Sequence, residues 1–474
     1  MKPNNASVLV PPLDAVAAPA TARKTSPWTI FWIASIAVFL VSMDSTMLFA
    51  AFGAIGASFP GTSAADMSWI LNGYTVVYAA MLIPAGGVAD THGRKKIFLL
   101  GVTLFLAASA ACGLAGSVNW LVAARVLQAI GAALLTPASL SIVLDAFPHS
   151  KRAVTVSLWG AVGALAAAVG PSLGSFVVEA LGWQWAFYLN LPLGALSLWR
   201  GAALLQESKK PDSRRAVDAV GMGLLIVGVG ALALSIVQLE STRWTSTELV
   251  VAAAVGVIAL IGFAIWARIA PAPLVDPRLF RHRTYTFANL ATLVFGAAFS
   301  MMFFAFFFYM TQVWHYTLTQ AGLAITPGPL LVIPVAIVAG RLAARLGHRP
   351  FLVGGSLLYA CGGLWFLLVP DAQPAYLAHW LPGLFLTGAS VGLVLPSLSA
   401  AAVNRLPADQ YAVGSAVNQA TRQIGSVMGV AVTVLLLGHG GLTHHSFVPL
   451  YLCHVALALL TAVLCLPVNT RPSA

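Results

Sequence analysis

The chain has 474 residues; 59% belong to the apolar and aromatic set AVILMFWYC and only 8% are charged. A typical soluble domain carries about 25% charged residues, so this composition excludes a soluble enzyme, a disordered chain and a disulfide scaffold, and leaves a polytopic membrane protein. The net charge of +11 implies no nucleic-acid partner, because basic residues on cytoplasmic loops are how helical membrane proteins fix their orientation.

Residues 1–27 are rich in Pro, Ala and polar side chains with no apolar core, which predicts a disordered cytoplasmic tail rather than a signal peptide. A helix needs about 20 apolar residues to cross a bilayer. Fourteen stretches qualify, at 28–52, 67–89, 97–117, 119–144, 153–178, 185–204, 219–238, 248–268, 286–312, 322–341, 351–370, 379–402, 412–437 and 448–467. They are continuously apolar, without the period-2 alternation of a barrel strand. With the N-terminus inside, Arg243 is the one basic residue of the 25 in an outer loop, while Arg125 and Arg422 fall within spans; the other 22 lie on the inner side. The reversed topology would put those 22 outside, against the positive-inside bias. Both termini are therefore expected in the cytoplasm, including a short tail at 468–474.

The hydrophilic breaks are too short for a soluble domain. After the second span comes GGVADTHGRKK (86–96), and after the tenth comes GRLAARLGHRP (340–350). Each has a Gly, a second Gly seven residues on and a basic residue two further: Gly86/Gly93/Lys95 and Gly340/Gly347/Arg349. If each half has six helices, the repeat falls at the tenth span only when two helices are inserted between the halves. The expected organisation is a six-helix bundle at 28–205, an inserted helix pair with linkers at 206–270, and a second six-helix bundle at 271–467. Duplicated bundles mark secondary transporters.

Six fragments in order sharpen this: MDSTMLFAAFG (43–53), GGVADTHGRKK, LVAARVLQAIGAA (121–133), GPSLGS (170–175), GWQWAFYLNLPLG (182–194) and AVDAVGMGLL (216–225). Together the chain resembles the major facilitator superfamily, in its fourteen-helix drug:proton antiporter branch. The resemblance implies an all-α membrane protein of two six-helix bundles plus an inserted pair. It also implies gating residues Gly86, Asp90, Gly93, Arg94 and Lys95 in the loop after the second span, and a seal and hinge at Gly170, Pro171 and Gly174 in the fifth. Arg125 and Gln128 match its fourth-span motif. Phe49 and Gly53 stand where the family usually has Asn and Pro, Gln184 replaces an Arg, and Ala344 replaces an acid in the repeated loop.

Asp44 lies well inside a predicted span, while the other acids lie in loops or near helix ends. A charge there costs at least about 2.5–3.5 kcal/mol and is a functional candidate by default. Desolvation favours a neutral carboxyl and a nearby cation favours the charged form, so a carboxyl balanced between them can load and release a proton. At 1.5 Å per residue Asp44 is about 24 Å from the inner interface and Arg125 about 21 Å. The two are expected to form a proton-coupling pair, directly or through Gln128. Asp145, at the inner end of the fourth span, is the expected acceptor for the basic residues after the second. Trp69 and Tyr74 in the second span and Phe303 and Phe307 in MMFFAFFFYM (301–310) are candidates for an apolar, plastic cavity. Arg422, near the midplane of the thirteenth span, has no intramembrane acid in its half; it is left to backbone carbonyls, to Gln419, or to an anionic group of the substrate.

The four cysteines sit in apolar stretches without CxxC spacing, and HGGLTHH (439–445) has no metal-site spacing. No GxxxxGK[ST] phosphate loop and no hydrolase signature is present, and the repeated halves favour alternating access over a channel. The expected function is therefore not enzymatic and needs no cofactor. It is proton-driven export of lipophilic, cationic drugs from the bacterial inner membrane by a monomer, a source of antibiotic resistance whose partners are the substrate, protons and lipid. The alternative is export of one endogenous metabolite, siderophore-like compound or lipid.

Overall fold

The computed structural model describes residues 25–148, 152–208, 218–238, 244–406, 411–437 and 442–470. Most of the expected N-terminal tail, the last residues of the C-terminal tail, much of the first inter-bundle linker and Arg243 lie outside the described residues. Within them the chain is helical: α1 (Pro27–Ser58), α2 (Ala64–His92), α3 (Arg94–Gly113), α4 (Val118–Ala146), α5 (Arg152–Leu181), α6 (Trp185–Tyr188), α7 (Asn190–Leu204), α8 (Ala219–Val237) and α9 (Ser246–Ile269). Then follow α10 (Arg283–Phe308), α11 (Leu318–Ile325), α12 (Pro327–Leu346), α13 (Arg349–Leu368), α14 (Leu381–Val403), α15 (Tyr411–Leu437) and α16 (Val448–Cys465).

Every predicted span coincides with helix, and 13 helices among the described residues are long and apolar enough to cross a membrane. The sixth span differs from the expectation. It is broken at Leu189 into a single turn and the 15-residue α7, which reaches only about 22 Å. The tenth span is also two helices, α11 and α12, meeting at Thr326 before Pro327, where the missing N–H and fixed φ of proline favour a helix start.

α1 packs on α4, α5 and α7, α4 on α2 and α3, and α3 on α7. α10 packs on α14, α15 and α16, α14 on α12 and α13, and α13 on α16. α8 and α9 pair with each other, and α8 also touches α2 and α15. Much of α9 is bare: Val250, Val251, Ile258, Ile261 and Ile265 are all exposed, the surface a helix presents to lipid. The basic residues Arg94, Lys95, Lys96, Arg341, Arg345 and Arg349 cluster at one end of the helices, called here the basic end; the other is the far end.

The internal repeat has a backbone counterpart. Gly93 (φ 113°), which ends α2 and opens α3, and Gly347 (φ 77°), which ends α12 just before α13, both lie in the left-handed region, which glycine adopts without a Cβ clash. Close approach explains other glycines. A Cβ on Gly131 would sit 2.6 Å from the Phe105 backbone nitrogen, and one on Gly101 2.7 Å from that of Leu135. α3 and α4 therefore touch backbone to backbone, as small residues allow in membranes. Gly131→Leu should lower the melting temperature of the purified protein by several degrees, as overpacking costs about 1–3 kcal/mol. Gly53→Leu, where a Cβ meets nothing within 4 Å, should leave it unchanged.

Candidate functional site

α1 carries Asp44 into the interior, where its residue exposure is 3%. From α4, Arg125 donates through Nη1 to Asp44 Oδ2 at 2.6 Å. Gln128, one turn further on, donates to Asp44 Oδ1 at 2.9 Å, and its own carbonyl accepts from Arg125. A third donor is Asn190, whose Nδ2 is 2.9 Å from Asp44 Oδ1. Ser109 of α3 accepts from Gln128 at 2.8 Å and from Asn190 at 3.4 Å. Arg125 also donates through Nε to the Ile70 carbonyl at 3.2 Å, and its guanidinium lies 4.0 Å from the Tyr74 ring centroid. Five helices of one half thus meet at a single carboxylate.

The expected Asp44–Arg125 contact is present, and Gln128 both flanks and bridges it. Asn190 and Ser109 were not singled out from the sequence. The signal for Asn190 was an amide inside the apolar run FYLNLP, just where the helix breaks; interrupted helices mark sites in transporters. Ser109 had no comparable signal.

The residues expected to line a cavity take different positions in this state. Tyr74 is not open to a cavity: it is 2% exposed and forms the floor under Arg125, with Tyr78 stacked on it at 5.8 Å. Trp69 packs against the cluster built around α8. Gln128 belongs to the carboxylate network. Phe303 and Phe307 are buried, and Phe303 meets Phe49 of α1 at 5.4 Å between centroids. Phe304 packs on Phe49 and Phe52 at 5.6 and 5.1 Å. These rings fill the seam between the halves, and Phe49, a departure from the family motif, is part of the filling.

The far end is also joined by polar contacts. Ser172 of α5 bonds Thr326 and donates to the Gly322 carbonyl at 3.3 Å, while the Thr319 N–H donates to Glu179 at 2.6 Å. The GPSLGS segment has two faces. A Cβ on Gly170 would strike Thr46, and one on Gly174 would lie 3.0 Å from the Met47 Cα, so both seat α1. The Pro171 carbonyl lies 2.7 Å from where Gly322 would carry a Cβ, which draws α11 from the other half against α5.

At the basic end, Arg94 bridges Asp90 at 2.7 Å and Asp145 of α4, the acceptor expected for this loop. Gly86 lies beside Pro137. Glu207, not foreseen, accepts from the backbone N–H groups of Lys95 and Lys96 at 3.1 and 3.2 Å and so caps α3. Lys95 Nζ donates to the Ala202 carbonyl at 2.7 Å, and Ser208 donates to Asp145 at 2.9 Å. Arg422 and Gln419 lie on α15 facing α2, where Gln419 rests against the Tyr78 hydroxyl.

The buried pair sets a clear energetic expectation. Removing one partner of such a pair costs about 3–5 kcal/mol, whereas removing both charges is often nearly neutral. Asp44→Asn and Arg125→Gln should each lower the melting temperature, and the double variant should recover most of that loss. Additive losses in thermal unfolding would contradict a coupled pair.

The family model for the Major Facilitator Superfamily matches residues 34–430 and 288–473. Multidrug resistance protein Stp of Mycobacterium tuberculosis is 33% identical over 401 residues, covering 84% of this chain and 73% of that protein. Cephamycin export protein CmcT of Amycolatopsis lactamdurans is 32% identical over 461 residues, covering 94% of each. Multidrug export protein EmrB of Escherichia coli is 28% identical over 416 residues, covering 87% and 80%. Among solved structures, the peptide transporter POT in complex with sulfate superposes with a TM-score of 0.65 at 18% identity over 93% of both chains. The human organic anion transporter MFSD10 gives 0.63 at 16% identity over 93% and 100%.

Proposed function

The chain belongs to the major facilitator superfamily, and from that membership and the Asp44 site we propose that it exports lipophilic small molecules by exchanging them for protons. It is a membrane transporter with drug and antibiotic exporters as its relatives, not an enzyme. The finer reading rests on one observation: a carboxylate deep in the bundle, neutralised by one arginine and fully engaged by three donors.

In the state described, the halves meet at the far end through Phe49, Phe303, Ser172 and Thr326. A proton reaching Asp44 here would leave Arg125 an isolated buried cation, at a cost of the order of the broken pair. The far-closed state therefore goes with an ionised Asp44. Rocking that parts the far-end contacts would admit water, and a proton taken there would free Arg125 to the water of the open side. Return of the halves would carry that proton to the basic end, where it leaves as the pair re-forms. The basic end is the cytoplasmic one in this scheme, since Arg94, Lys95, Lys96, Arg341, Arg345 and Arg349 lie there and basic residues favour the inner side. Arg94, bridging Asp90 and Asp145, and Glu207, capping α3, would hold the basic end of this half as one body during that motion. One pH unit supplies about 1.4 kcal/mol and 100 mV about 2.3 kcal/mol per charge moved, enough together for a gradient of several hundred-fold without a further energy source or cofactor.

A cationic cargo would need Asp44 as its attracting charge. In this state the carboxylate has no free side, so the reading favoured here is a lipophilic cargo received between the halves by a protein acting as a monomer.

The test is proteoliposome efflux of a panel of lipophilic dyes with an imposed pH gradient. Wild-type protein should acidify the lumen opposite to dye movement. Asp44→Asn should lose gradient-driven efflux by at least tenfold yet still exchange labelled for unlabelled dye. Full coupling in Asp44→Asn would remove the carboxylate from the cycle.

A further inference from the structure

Arg422 is a charge that the proposed cycle does not use. It stands 11 residues into α15, about 17 Å along the helix, at the middle of the apolar layer. Among the described residues no acid pairs with it, and its Nε is buried without a hydrogen-bond partner. Among the described residues Asp44 is the acid at comparable depth, and Asp44 is taken by Arg125. An intramembrane cation is costly and persists where it meets water, a partner or a ligand.

Its surroundings point inward rather than to lipid. The Arg422 backbone is packed on α10: a Cβ on Gly296 would lie 2.7 Å from its carbonyl oxygen. α15 packs on α2 across the seam between the halves, where Gln419 lies within reach of the Tyr78 hydroxyl. Ser415, Gln419, Arg422 and Ser426 follow one another at i, i+4, i+7 and i+11, one face of a helix. That face is exposed at Ser415 and partly exposed at the other three, as are Ala416, Thr421, Gln423 and Ile424 on adjoining faces, while Val417, Asn418, Ala420 and Val427 are buried. The result is a polar stripe running from the basic end to the midplane and ending on a cation with spare donors.

We propose that Arg422, with Gln419 one turn before it, is a binding site for the acidic group of the cargo, so that this exporter takes amphiphilic organic anions such as carboxylates or sulfonates. A guanidinium offers five donors in a planar fork that fits such oxyanions, and the Gln419 amide adds a neutral donor, while the Tyr78 hydroxyl donates to Thr136 at 3.3 Å. The stripe gives a polar approach from the basic end to the guanidinium. Tyr78 stacks on Tyr74, and Tyr74 lies under Arg125, so the site abuts the proton site through two rings.

The inference deepens the exporter reading, and its test uses no ion gradient, so that a failure of proton coupling leaves it unaffected. Full-length protein in nanodiscs is titrated with dansylglycine, its neutral amide and the cationic dansylcadaverine, three charges on one fluorophore, with empty discs subtracted. Wild type should bind the carboxylate at least tenfold more tightly than the amide, which is about 1.4 kcal/mol. Arg422→Gln should bring the carboxylate down to the amide's affinity, and Arg422→Lys should keep part of the preference. Gln419→Leu, which leaves the arginine in place, should weaken the carboxylate about threefold. A wild type that ranks the three probes without preference for the carboxylate, or an Arg422→Gln protein that retains the preference, overturns the assignment.

Discussion

A carboxylate and a guanidinium held together where no water reaches is the constraint around which the first half is arranged. Asp44 comes from α1, Arg125 and Gln128 from α4, Ser109 from α3, Asn190 from the start of α7, and the Tyr74 floor and the Ile70 carbonyl from α2. Each helix satisfies a donor or acceptor that would cost several kcal/mol if left bare in hydrocarbon. The break at Leu189 follows from the same demand. An unbroken sixth span would carry a more regular backbone, but interrupting it sets Asn190 at the first residue of α7, where its amide reaches Asp44.

The large elements were legible because the bilayer imposes one rule, about 20 apolar residues per crossing, and loops short enough to preclude other folds. The Asp44–Arg125 contact was legible for a related reason: two charges at matching depth in adjacent parts of a bundle have few other places to go. Arg94 and Asp145 followed from charge and depth in the same way. What the sequence pattern leaves open is the assignment of faces. Trp69, Tyr74, Phe303 and Phe307 lie on helices that are apolar nearly all round, so period-3.6 reasoning gives no preferred side. Whether such a ring fills a seam, floors an arginine or touches α8 depends on which helix arrives opposite it, information carried by tertiary packing alone. Glu207 escaped for another reason: a lone acid in a hydrophilic connection reads as a solvated loop until the fold brings it over the first residues of α3.

Glycine and small residues divide the labour with the phenylalanines. Inside the first half Gly101, Gly131, Gly170 and Gly174 let α3 meet α4 and α5 meet α1 at backbone distance, contacts that resist sliding because nothing flexible lies between them. Across the far-end seam the contacts are mainly ring on ring at Phe49, Phe52, Phe303 and Phe304, with the short hydroxyl pair Ser172–Thr326, the Glu179–Thr319 bond and one close backbone approach at Pro171 and Gly322. Rings without directed bonds can part and re-meet at small cost, while backbone-to-backbone packing moves as a unit. A rocking motion is therefore better accommodated between the halves than within the first.

The two arginines of the membrane interior show how the same side chain is used in opposite ways. Arg125 has every neighbour arranged to spend its charge: a carboxylate, an amide, a carbonyl and an aromatic face. Arg422 has a helix face that opens along polar residues and a buried Nε with nothing to meet. A compensated charge can respond to a proton, because adding one changes the balance of the pair. An uncompensated charge can respond to a ligand of opposite sign, because only the ligand completes the balance. If both respond, the rings of Tyr74 and Tyr78 place the two events within two side chains of each other, and binding of cargo and release of a proton become moves on one electrostatic network rather than two distant sites linked by the frame.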